Sequence, residues 1–218
     1  MHVMTAVLAH CDAEKLCAPL QSAGLEVVAI CPQLSALAAL AQRFVPENGQ
    51  MHTLVDIGSS NTRLIILQDG KVLFHRTISG VGTAALEHAV EVELQVPAPV
   101  VRHLVCHVGT NGQKLEGIAR AASRMRRIFD KLAESIATEL QLTENYITHR
   151  YQQQTSADLF LLGGGAAAPG LSEALGTATR RRTNVMTPAS LHLECSDSDS
   201  PAYVPALACA LYAMEAGR

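Results

Sequence analysis

Tryptophan is absent from this sequence, and aromatic residues make up only 4% of its 218 positions. A core built around large rings is excluded, so Leu, Val, Ile and Ala must fill the interior. Charge is sparse as well: 17% of residues are charged, and the formal net charge is −3. A broad cationic surface for nucleic acid or anionic lipid is excluded, and no nucleic-acid partner is expected. No apolar run approaches the roughly 20 residues that span a bilayer, so no direct membrane insertion is expected. The opening MHVMTAVLAHCDAEK has an apolar stretch but no basic leader and no cleavage site, and reads without a secretory signal.

Several motifs are missing too. No CxxC occurs among the six cysteines. Scattered through apolar runs, they read as small hydrophobes of a reduced, cytoplasmic protein, although their spacing leaves one disulfide open. There is no GxxxxGKS, hence no P-loop, and no GxGxxG after the first strand, which disfavours a dinucleotide fold. No GxSxG nucleophile turn occurs either.

What is present suits a packed α/β protein. Hydrophobic residues make up 48%, and the length allows one large domain or two small ones. Val3–Ala9 and Leu25–Ile30 read as buried parallel strands flanking a helix that starts near Asp12 and stops at Gly24, a βαβ unit. A short helix over Leu34–Arg43 follows. The polar run Val45–Gln50, with Pro and Gly, marks a domain boundary between 1–45 and 51–218.

Thr53–Thr83 (TLVDIGSSNTRLIILQDGKVLFHRTISGVGT) reads as three strands. The first two join through Asp56-Ile57-Gly58-Ser59-Ser60-Asn61-Thr62, the second and third through Asp69-Gly70. Leu64–Leu67 lacks alternation, as a strand covered on both faces should. Lys71–Ile78 is more polar and nearer an edge. Helices are expected from Thr83 to Val96 and from Lys114 to Leu142. In the second, Leu115, Ile118, Ala122, Met125, Phe129, Leu132, Ile136 and Leu140 recur at helical spacing. Val100–Val108 is ambiguous between strand and helix. Asp158–Leu162 is a strand running into Gly163-Gly164-Gly165, then a helix to about Thr179. Asn184–Thr187 reads as a strand, 194–201 as an acidic loop and Tyr203–Met214 as a closing helix. Arg124, Arg126, Arg127 and Arg180–Arg182 could meet phosphates or an acidic partner but read first as a solvated face, and His103, Cys106 and His107 could supply metal ligands but read first as core or surface residues.

Two turns can carry chemistry. Gly58 lets backbone approach a ligand. The hydroxyls of Ser59, Ser60 and Thr62, with local N–H groups, can donate to phosphate oxygens. Asp56, at a strand end, can hold magnesium through water. The glycine triplet Gly163–Gly165 lets a flat ring and a ribose lie on the backbone, ahead of a helix opened by Pro169. Each motif alone is also compatible with a simple strand connection.

The two turns in this order resemble the second half of the actin-like ATPase superfamily, which includes actin, Hsp70 chaperones and sugar kinases. Within it the chain is most similar to the PilM family of type IV pilus assembly proteins. LVDIGSSNTRLIILQDGKVLFHRTIS, IFDKLAESIATELQ, LFLLGGGAAAPGLSEALG with NVMTP, AGLEVVAICPQLSALAAL and YVPALACALYAM carry the likeness. The resemblance implies an α/β fold: a ribonuclease H-like actin-type ATPase domain, with a mixed sheet flanked by helices, preceded by a small partial α/β subdomain. Residues 1–45 would end a first actin-like domain whose opening phosphate hairpin is not found before Thr53. The implied cofactors are ATP and Mg. Asp56, Gly58, Ser59, Ser60, Asn61 and Thr62 match the phosphate turn, with Asp56 toward the metal; Gly163, Gly164 and Gly165 match the adenosine turn. The implied role is a cytoplasmic scaffold, at most a weak ATPase, peripheral to the inner membrane through a PilN-type membrane protein segment and other pilus components. A second copy of the chain is a further expected partner. Two alternatives stand beside it: a degenerate actin-like interaction module without nucleotide, and a fragment of an ATP-dependent small-molecule kinase.

Overall fold

The computed structural model describes residues 7–45, 48–110, 119–192 and 199–216. Five strands form one mixed sheet in the order β3-β2-β1-β4-β5: β1 (Met51–Ile57), β2 (Asn61–Gln68), β3 (Lys71–Ser79), β4 (Thr155–Leu162) and β5 (Arg182–Val185). The first three are an antiparallel meander, and β1, β4 and β5 are mutually parallel. Asp69 and Gly70 both take positive φ, the backbone that a two-residue hairpin requires. Strand β3 lies at the edge, as its polarity predicts.

Strand β1 is central, and all seven of its residues are buried. Its alternating side chains serve two cores. Val55 and Ile57 join Phe129, Ile136 and Leu171 beneath α3 (Thr83–Leu94), α5 (Ala119–Tyr151) and α6 (Leu171–Thr179). On the opposite face Leu54 joins Leu37 and Leu40 of α2 (Gln33–Ala41) and Val204 and Ala208 of α7 (Val204–Ala216). Leu64–Leu67 is fully buried because both layers cover β2.

Several expected boundaries move. The ambiguous run is helical: α4 (Ala98–His103) continues into a π-helical turn, Leu104–Val108, stopped by Gly109. Helix α5 extends well past Leu142, to Tyr151. Its expected start at Lys114–Ile118 lies outside the described residues, as do Val3–Ala6 of the first expected strand and most of the acidic loop. The final strand covers Arg182–Val185 instead of Asn184–Thr187.

Among the described residues the expected βαβ unit is not seen. Helix α1 (His10–Ser22) forms, but it buries none of its residues, and neither 7–9 nor 23–32 contains a strand. Leu25–Ile30 has strand composition but pairs with no strand among the described residues, and β-propensity only expresses itself on a paired, half-buried surface. No helix among the described residues is long and apolar enough to cross a membrane.

Candidate functional site

Parallel strands β1 and β4 end side by side, with Asp56 aligned to Leu162. This brings the turns that follow them, Gly58–Ser60 and Gly163–Gly165, to one edge of the sheet. In open α/β sheets the carboxyl ends of parallel strands are where ligands bind. The contact between the two turns is intimate. Gly163 has φ +86°, and a Cβ there would stand 2.5 Å from Asp56 Oδ1 and 2.7 Å from the Ile57 carbonyl oxygen. A Cβ on Gly165 would stand 2.2 Å from Ile57 Cγ2. Two of the three glycines are therefore needed for packing the second turn onto the first. Gly164 is different: it is exposed, with nothing within 4 Å of its Cβ position. It is the member of the triplet that faces open space.

The first turn is tied to the start of α3. The carbonyls of Gly58, Ser59 and Ser60 accept from the N–H groups of Thr83 (3.0 Å), Ala84 (2.9 Å) and Gly80 (3.0 Å). Gly58 N–H donates to the Asn61 carbonyl at 2.9 Å. Thr62 is fully buried, and its hydroxyl donates to the Val81 carbonyl at 2.7 Å, so it pins the turn from inside. Ser59 and Ser60 are exposed, and Asn61 is half-buried. The N–H groups and hydroxyls of Ser59 and Ser60 have no hydrogen-bond partner among the described residues. These are the turn's available donors.

Asp56 is embedded in a contact that sequence reading passed over. Its side chain is 4% exposed, and Oδ2 accepts from Arg63 Nη1 at 3.0 Å and from Gln33 Nε2 at 3.1 Å. Arg63 Nη1 also donates to Gln33 Oε1 at 2.8 Å, closing a triangle between β1, β2 and the first residue of α2. The triangle follows from register. The Gly58–Ser60 turn sets Asp56 directly across from Arg63, and cross-strand partners share a face. Burial pushes the Asp56 carboxyl above its usual range, and the hydrogen bond and charge of Arg63, with the Gln33 hydrogen bond, only partly offset that. A carboxylate already costly to ionise, with one oxygen occupied by a guanidinium and the other against Gly163, does not suit a divalent ion in direct contact. No group of three His, Cys, Asp or Glu able to hold a metal exists among the described residues.

A groove of about 500 Å³ lies elsewhere, between α5 and α6, lined by Glu144, Thr179 and Arg181 among others. Two of its charged side chains, Glu144 and Arg181, are engaged with each other. Glu144 Oε1 accepts from Thr53 Oγ1 (3.2 Å), Thr155 Oγ1 (2.8 Å) and Arg181 Nη1. Arg181 is thus no solvated cation; it is a largely covered clasp at the opposite end of β1 and β4.

No family model and no curated protein sequence matches the chain. Solved structures do. The PilM–PilN type IV pilus biogenesis complex aligns with a TM-score of 0.71 at 19% identity, covering 92% of this chain and 57% of that one. The ethanolamine utilization protein EutJ of Carboxydothermus hydrogenoformans aligns with a TM-score of 0.63 at 18% identity, covering 94% and 62%. MreB5 of Spiroplasma citri, bound to ADP, aligns with a TM-score of 0.64 at 15% identity, covering 95% and 66%. The chain has the actin-like ATPase fold. At these identities the likeness speaks for the fold, and the chain spans less than two thirds of the length of each of these structures. Within an actin-like fold, the meander β1–β3 and the parallel extension β4–β5 are the parts that carry the two turns.

Proposed function

We propose that this chain is a nucleotide-binding, actin-like scaffold component of the PilM type. It holds phosphates at Asp56–Thr62, through the Ser59 and Ser60 donors, and an adenosine at Gly163–Gly165, against exposed Gly164. Residues 1–45 would end a first actin-like domain, and 51–218 would form the second. The partner is a PilN-type inner-membrane protein segment, so the chain would work in the cytoplasm and reach the membrane through that partner. One observation carries this reading: the two turns meet edge to edge on adjacent parallel strands, Gly163 against Asp56, in an actin-like fold. The PilM–PilN complex among the similar structures supports the choice of partner.

The test is thermal denaturation with and without millimolar ADP or ATP, since a ligand of the folded state raises the midpoint by mass action. A rise is expected, and Gly164→Val should remove it by filling the open space at the second turn without a clash inside the protein. A rise untouched by Gly164→Val would place the nucleotide elsewhere. No rise with either nucleotide would favour the second reading, an actin-like interaction module without nucleotide. The exposed apolar residues Leu16, Leu20, Leu25 and Val28 support that reading, because they offer surface to another protein.

A further inference from the structure

The corner between the two turns contains a cation already, and that cation is a side chain. Arg63 Nη1 is bound to Asp56 and Gln33, but Nε and Nη2 have no partner among the described residues, and the side chain is 41% exposed. Its guanidinium thus has two faces. One neutralises the buried carboxylate, and the other is open on β2, the strand that leaves the turn carrying the unpartnered donors of Ser59 and Ser60. A divalent ion at a phosphate turn does the same two things: it balances a carboxylate and attracts phosphate oxygens. A guanidinium suits phosphate through charge and through its rigid fork of N–H donors. A divalent ion placed near Oδ2 would also be repelled by the arginine already 3.0 Å away.

We propose that Arg63 takes the place of the metal at this turn, and that the chain binds the polyphosphate of a nucleotide without a divalent ion. The proposal rests on the nucleotide-binding reading above and deepens it. It assigns to Arg63 a ligand-binding role and to Asp56 the role of positioning Arg63.

The decisive variant is Asp56→Asn, for which the two mechanisms differ in sign. The amide oxygen still accepts from Arg63 and Gln33, so the fold is kept. If Asp56 served a metal, this change would abolish binding. If Asp56 positions Arg63, removing the negative charge leaves ADP binding intact or tighter. The midpoint rise with ADP is measured in EDTA and in excess Mg, each against the same buffer without nucleotide. Wild type should give equal apparent affinities in both, within about twofold, and Arg63→Gln should weaken binding in EDTA by about tenfold, the equivalent of one charge-assisted hydrogen bond. Should Arg63→Gln fail to fold, Arg63→Lys keeps the charge but loses the fork and should still weaken binding. A rise seen only with Mg and lost in Asp56→Asn overturns the Arg63 assignment while sparing the nucleotide reading. A rise in EDTA unchanged by either Arg63 variant also overturns it. No rise in either buffer overturns the nucleotide reading itself, and the Arg63 proposal with it.

Discussion

An arginine–carboxylate pair is hydrogen-bonded toward each end of β1, through Thr53 at one and including Asp56 at the other, and the two pairs are built in opposite ways. Where β1 and β4 begin, Arg181 is the buried partner, 13% exposed against 21% for Glu144. All three of its guanidinium nitrogens are engaged: Nη1 with Glu144, Nη2 with the Ser156 and Asp158 carbonyls, and Nε with the Ala157 carbonyl. Where the same strands end, the acid is the buried partner, and Arg63 has donors left over. Chemically similar pairs thus differ in what they leave unmet. The first is closed and joins α5, β1, β4 and the start of β5. The second is open and has capacity for a ligand.

Breaking each pair should expose that difference. Arg181→Ala strips a partner from Glu144 and from three backbone carbonyls at once. Removing one member of a buried pair costs about 3–5 kcal/mol, and that loss is expected in urea unfolding. Asp56→Asn should cost less than about 1 kcal/mol, because the amide keeps both hydrogen bonds and Arg63 is already half in water. Equal losses at the two ends would erase the distinction between clasp and open pair.

The second contrast lies within the glycine triplet. Gly163→Ala forces a methyl group against Asp56 and the Ile57 carbonyl at a φ of +86°, and should cost about 1–3 kcal/mol of stability. Gly164→Ala meets nothing and should stay within about 0.5 kcal/mol. Chemical denaturation of the two variants side by side decides it. Matching costs would mean that Gly164 also packs inside, and would remove the surface assigned to adenosine.

The sheet was legible in the sequence because its signals are local. Asp69-Gly70 is a turn dipeptide, Leu64–Leu67 an unbroken apolar run, and Met125–Leu140 repeats at helical spacing. Both turns were legible for the same reason, since small residues after a strand are a local signal. The partners of Asp56 were not read. The signal for Arg63 was available, since a hairpin turning at Gly58–Ser60 pairs position 56 with 63. Gln33 could not be read, because α2 reaches Asp56 only through tertiary packing. Arg181 was misread as solvated because a run of three arginines looks like a surface, and only the fold shows Glu144 beneath one of them. The strand expected at Leu25–Ile30 failed for the converse reason: strand formation needs a neighbour, and composition alone does not supply one.

The other titratable residue of β1 sharpens the comparison, because its ring nitrogens have no hydrogen-bond partner among the described residues. His52 is buried, neither ring nitrogen has a hydrogen-bond partner, and its ring centroid lies 6.0 Å from that of Phe160. Burial lowers its pKa below 6.5, against the weaker upward pull of Asp158 and Asp69. Well above pH 6.5, from about pH 7.5 upward, the imidazole is neutral in both folded and unfolded chains and contributes no pH dependence. Below that range the unfolded chain takes up a proton that the buried ring refuses, so stability falls with pH until the lowered folded pKa is reached. The slope is at most about 1.4 kcal/mol per pH unit. Asp56 acts with the opposite sign: its raised pKa makes the folded chain hold a proton longer, which favours folding as pH falls toward 3.8. Only a difference between variants separates the two. Urea unfolding of wild type and His52→Leu from pH 8 to pH 5.5 should show a nearly constant difference above about pH 7.5 that shifts in favour of His52→Leu as pH drops through 6.5. A difference that stays flat across that range would mean that His52 finds a partner in solution, and that β1 is paired along its whole length rather than at its ends.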